Sequence, residues 1–356
     1  MEMKKLLKLA IERGASDLHL VVGIPPSLRI DGEVVFTELS PLSADESKEL
    51  IYSLLNEGQI KRFEERKELD FSTTAPDLGR FRVNVYRERG FVESSFRIIA
   101  LQVKSPEELG LPPIVKELAL KPSGLVLISG PAGMGKTTTM AAMINYINEN
   151  KCARIITIED PIEFLHKHKK SIVIQREVGP DISSDTKSFS AALVSALRED
   201  PNVICVGEMR DLDTFQIALT AAETGHLVLG TIHTPNTVQT ISRIVDVFSP
   251  YQQQQIRIQL ASCLEGVISQ LLLPKFSGEG RVVATEILIG TPAIRNIIRE
   301  NKSEMIPTVL QTGREHGMHS MDSSLHDLYD TGIINYDIAV SNAQDLKAFR
   351  KFNAKE

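Results

Sequence analysis

The chain has 356 residues, 42% of them hydrophobic, with a formal net charge of -6, no Trp and three Cys. That length supports two or three domains with aliphatic cores, and the acidic balance argues against a general attraction to nucleic acid, so no stable nucleic-acid partner is expected. Cys152, Cys205 and Cys263 lack the spacing of a metal knuckle or a redox dithiol, and no run of about 18 apolar residues is present to cross a membrane.

The opening run MEMKKLLKLAIERGASD meets Glu12 and Arg13 too soon for an export signal, so a cytoplasmic protein is expected. Residues 4–13 read as a helix with Leu6, Leu7, Ala10 and Ile11 on one face, ended by Gly14. SDLHLVV reads as a strand. GIPPSLRIDGEVVF reads as a hairpin turning at Asp31-Gly32. SADESKELIYSLL is a helix capped by Ser43, with Glu46 three residues on. GRFRVNVYRERGFVESSFRII gives two more strands around Arg89-Gly90. In it Phe81, Val83 and Val85 alternate with Arg80, Arg82 and Asn84; Arg87 and Arg97 follow. These arginines form either a solvated face or a row of guanidiniums turned to an anion. Residues 106–117 read as a linker stiffened by Pro106, Pro112 and Pro113.

GLVLISG is a strand that runs into GPAGMGKT, which fits G-x-x-x-x-G-K-[ST] and opens a helix. Gly130, Gly133 and Gly135 free the backbone N–H groups to turn inward around phosphate oxygens, and the helix N-terminus adds positive potential. The candidate nucleotide-binding residues are Gly130, Pro131, Ala132, Gly133, Met134, Gly135, Lys136, Thr137 and Thr138. Lys136 reaches the β and γ phosphates, and Thr137 is a ligand for Mg²⁺.

Two further strands end in acids. ARIITIEDPIEF carries Glu159, Asp160 and Glu163, and NVICVGEMRD carries Glu208 as a candidate metal ligand or water-polarising group. His226 and His233 bracket the strand LVLGTI; no further ligands at the usual spacing support a zinc site. YQQQQIRIQLASCLEGVISQLLL reads as one long helix. PAIRNIIRE puts Ile294, Ile297 and Ile298 on one face and Arg295 and Arg299 on another.

Taken in order, GPAGMGKTT, IITIEDPIEF, ICVGEMRD and TAAETGHLVLGTIHT resemble the Walker A, Asp box, Walker B and His box of the secretion ATPase superfamily. Within it, ASDLHL, GRFRVNVYRERG, PAIRNIIRE and MDSSLHDLY make nearly the whole chain similar to the retraction ATPases of type IV pili. The resemblance implies an α/β fold: a RecA-like P-loop NTPase core over 118–356 and a smaller N-terminal α+β, PAS-like domain over 1–105. It implies a homohexamer that hydrolyses ATP with Mg²⁺ and acts through an inner-membrane pilus platform protein, alongside other pilus ATPases. By the same resemblance, Lys136 and Thr137 hold phosphate and Mg²⁺. Glu208 is the Walker B acid, Glu159 and Glu163 are the Asp-box acids, and His226 and His233 sense nucleotide. Arg82, Arg87 and Arg97 become candidates for phosphate contacts.

Ala132 and Met134 depart from the family's usual G-P-T-G-S-G-K-[ST], and Ile297 replaces a usual Leu. The cradle and Lys136 survive, so turnover is expected to persist with altered rate or affinity. Three scattered Cys and a short front domain weigh against an extension or type II secretion ATPase, whose relatives carry a four-Cys element. An accessory retraction paralogue, a nucleic-acid translocase and a non-hydrolysing scaffold are the remaining alternatives.

Overall fold

The computed structural model describes residues 2–30, 32–75, 77–99, 103–179 and 184–345. They fall into two compact units. The first comprises Met1–Gln102 with Glu163–Leu165 and Pro180–Ser184, and the second comprises the remainder.

In the first unit, β1 (Asp17–Leu20), β2 (Ser27–Ile30), β3 (Glu33–Phe36), β4 (Glu68–Ala75), β5 (Gly79–Glu88) and β6 (Phe91–Ile98) form an antiparallel sheet in the order β3-β2-β1-β6-β5-β4. Asp31, expected at the β2–β3 turn, lies outside the described residues. Helix Met3–Glu12 buries Met3, Leu6, Leu7 and Ala10, and Gly14 follows it at φ 66°. Ser43 and Glu46 close the expected capping box on helix Ala44–Tyr52. Helix Glu57–Arg66 was not anticipated, although Asn56 and Gln59 cap it in the same manner. Phe81, Val83, Val85, Val92 and Phe96 join the helices in one core.

In the second unit, β7 (Gly124–Ser129), β8 (Arg154–Glu159), β9 (Ile172–Glu177), β10 (Val203–Val206), β11 (Leu227–Ile232), β12 (Leu264–Pro274) and β13 (Arg281–Ile289) run in the order β13-β12-β7-β11-β10-β8-β9. Only β13 pairs antiparallel among these described strands. Burial on both faces explains why β7, β10 and β11 read as continuous apolar runs.

Two expectations change here. The stretch 106–117 is not a free connection: Leu111 and Val115 are buried in the core of the second unit beside Leu118. The run expected as one long helix is helix Pro250–Cys263 followed by β12. Val267 and Ile268 are β-branched, and at Gly266 an added Cβ would stand 2.9 Å from Leu118 Cδ2 and 3.1 Å from Leu288 O. Pairing with β7 and β13 on either side therefore wins over helix continuation.

Candidate active site

The C-terminal ends of β7, β11, β10 and β8 lie side by side and deliver Gly130, His233, Glu208 and Glu159 to one edge of the sheet. The loop after β7 turns through Gly130, Gly133 and Gly135 at φ 144°, 78° and 80°. These are left-handed values that a side chain resists. An added Cβ on Gly130 would stand 2.5 Å from Gln270 O. Among the described residues, the N–H groups from Ala132 to Thr138 meet no protein acceptor, and Thr139 N is the first to bond, to Gly135 O at 2.9 Å. A run of unspent donors at the head of helix Lys136–Asn150 fits polyphosphate oxygens.

Met134, the unexpected apolar side chain, braces this loop. Its Sδ accepts from Leu272 N at 3.2 Å, and its carbonyl accepts from Gln270 Nε2 at 2.5 Å. The thioether thus packs onto β12, while the amides keep their cradle. Ala132, Pro131 and Gly133 are exposed, and Thr137 and Thr138 are half-buried in the first helical turn.

Lys136 is buried, and its Nζ donates to Gly130 O at 2.7 Å and Pro131 O at 2.8 Å. It also lies 3.2 Å from His233 Nδ1, and His233 Nε2 lies 3.1 Å from Glu208 Oε1. An ammonium has only donors, so Nδ1 must accept and the ring proton sits on Nε2, facing Glu208. Burial holds Lys136 below the usual lysine range, with Glu208 opposing in part. Burial also pushes Glu208 up, but the Arg210 fork and His233 outweigh it and hold the carboxyl below its usual range. Arg210 escaped the sequence reading, though it stands two residues after Glu208 in GEMRD.

Glu159 is buried at the end of β8, and its Oε1 accepts from Thr157 Oγ1 at 2.6 Å and Gln175 Nε2 at 3.1 Å. Glu163 is exposed and belongs to the first unit.

The remaining expected residues do not all converge. His226 precedes β11, and its carbonyl accepts from Gly124 N at the start of β7, while the phosphate loop leaves the far end of β7. Its Nδ1 lies 3.0 Å from Ala221 O. A six-residue strand separates the two histidines by about 20 Å, so His226 is not part of the Lys136 cluster. The three arginines also divide. Arg82 and Arg97 are cross-strand partners and exposed, near Asp70 (3.7 Å) and Asp17 (3.1 Å) respectively. Arg87, five residues after Arg82, points to the opposite face, where it bonds Glu64 at 2.6 Å and stacks 5.7 Å from the Phe63 ring centroid. In the PAIRNIIRE helix, Arg295 is not solvent-facing: it bonds Gly290 O at 2.7 Å, Ala261 O at 2.8 Å and Glu265 at 2.8 Å.

Residues 89–314 match the family model described as type II/IV secretion system protein. The type IV pilus retraction ATPase PilT of Pseudomonas aeruginosa is 48% identical over 344 residues, which cover 97% of this chain and 98% of that protein. The chain belongs to the PilT-type ATPases of the type II/IV secretion family. As a member it is an ATPase with a P-loop core. A twitching motility protein of Neisseria gonorrhoeae is 49% identical over 320 residues, covering 90% of this chain and 84% of its own. The crystal structure of the pilus retraction motor PilT with bound ADP superimposes with a TM-score of 0.90 at 48% identity, covering 99% of both chains. No helix among the described residues is long and apolar enough to cross a membrane.

Proposed function

We infer that this chain is an ATP-hydrolysing motor that drives type IV pilus retraction and twitching motility. The observation that carries the reading is the line Lys136–His233–Glu208 at the mouth of a loop whose amides are unspent. The near full-length similarity to PilT, above the 39% identity to the Pseudomonas aeruginosa PilU, supports a main motor over an accessory paralogue.

ATP binds with its phosphates on the amides from Ala132 to Thr138; the similar PilT structure carries bound ADP. Lys136 exchanges the carbonyls of Gly130 and Pro131 for phosphate oxygens. Mg²⁺, held by Thr137 and Glu208, would neutralise charge on the phosphate oxygens. One of the two Asp-box acids, Glu159 or Glu163, serves as general base toward the attacking water. His233 relays the position of Lys136 to Glu208, so gain or loss of the terminal phosphate is felt at the end of β10. Arg82 and Arg97 present a pair of exposed guanidiniums suited to an anion, and His226 transmits nucleotide state at a distance from the loop. The working form is a cytoplasmic homohexamer at the inner-membrane base of the pilus machine, acting through a platform protein.

The test is retraction in living bacteria that lack their own retraction ATPase and carry this chain or its Glu208→Gln form, with Mg²⁺-dependent hydrolysis measured in parallel. Retraction with the parent alone is expected. Strong hydrolysis without retraction would overturn the pilus assignment.

A further inference from the structure

In the parallel register of β8 and β9, Thr157 pairs with Gln175 and Glu159 with Glu177. Side chains two apart share a face, so all four stand on one side of the sheet. The two β9 residues hold the chain that leaves β8. Glu177 Oε2 accepts from Ile162 N at 3.0 Å, and Gln175 Oε1 accepts from His166 N at 2.9 Å. The other end of the Gln175 amide donates to Glu159 Oε1 at 3.1 Å, next to the Thr157 hydroxyl at 2.6 Å. One planar amide therefore fixes both the buried acid at the end of β8 and the backbone three positions after Glu163. The far side of the same loop is anchored independently: Asn148 accepts from Lys169 N at 3.1 Å and donates to Lys167 O at 2.7 Å.

We propose that Gln175 is a positioning residue for ATP hydrolysis, orienting Glu159 and tying it to the backbone at His166, just past the segment that carries Glu163. A carboxylate that acts on water must be held in direction as well as place, because a shift of about 1 Å costs on the order of 100-fold in rate. An amide is the side chain suited to this task. Its NH₂ serves the carboxylate while its C=O serves a backbone N–H, and neither function survives in an isosteric apolar residue. The proposal rests on the ATPase reading above.

The test uses the full chain and the variants Gln175→Glu and Gln175→Met. Glutamate keeps an acceptor for His166 N but sets a second carboxylate against Glu159. Methionine keeps the volume and loses both bonds. Steady-state hydrolysis is measured together with ADP stoichiometry and affinity by titration calorimetry. Expected is a fall in kcat of about 10- to 100-fold in both variants, with KM for ATP, ADP affinity and the number of ADP sites per chain near the parent values. Unchanged kcat in Gln175→Glu, or a fall matched by lost ADP sites, would assign Gln175 a purely structural role and overturn the proposal. A parent that binds ADP but does not hydrolyse ATP would overturn the ATPase reading itself, and this inference with it.

Discussion

His233 Nε2 lies 3.1 Å from Glu208 Oε1, and the opposite nitrogen of the same ring lies 3.2 Å from Lys136 Nζ. A single imidazole thus joins the phosphate-loop lysine to the acid after β10. Replacing His233 by Ala breaks that link without touching the amide cradle. Hydrolysis should fall about 10- to 100-fold, as for a group that orients a metal-ligating carboxylate, while ADP affinity by calorimetry stays close to the parent. Equal loss of affinity and rate would mean that the histidine serves binding alone.

Burial lowers Lys136, so the unliganded protein releases that proton at a lower pH than a free lysine does. Phosphate in the loop favours the ammonium and raises the value again. On the alkaline side of neutrality, ADP binding should therefore take up protons, and below that range the uptake should vanish because Lys136 is already charged in both states. Calorimetry in buffers of differing ionisation enthalpy measures this directly. Proton release at alkaline pH would contradict the assignment.

The two ends of the phosphate loop should respond differently to substitution. Gly130→Ala places a Cβ 2.5 Å from Gln270 O at φ 144°. A loss of about 1–3 kcal/mol in denaturant unfolding is expected, with loss of ADP binding. Met134→Ser gives up one contact to Leu272 N but keeps the Gln270 bond to the carbonyl. It should cost no more than about 1 kcal/mol and still hydrolyse ATP.

The arginines separate stability from chemistry. Arg87→Ala removes a pair with Glu64 and a stack on Phe63, both partly solvent-screened, and should destabilise by about 1 kcal/mol. Arg82→Ala and Arg97→Ala remove exposed side chains, so each should change stability by less than about 0.5 kcal/mol while lowering kcat. Unfolding curves beside hydrolysis rates would expose the opposite pattern.

Much of this protein was legible in its sequence because the signals are local. The glycine spacing around Lys136 permits left-handed backbone where a phosphate loop needs it, the Ser43–Glu46 spacing closes a cap, and apolar runs mark doubly covered strands. Each depends on residues a few positions apart. The tertiary structure decided the rest. It showed Met134 braced against Leu272, 138 residues away, and Gln175 shared between Glu159 and His166 N. It also set Arg87 on the face opposite Arg82 and His226 a strand's length from His233. It turned the run after Cys263 into a strand because β7 and β13 were there to pair with it. Such outcomes depend on which backbone lies alongside, and the order of strands in a sheet is fixed by long-range packing that no local spacing encodes.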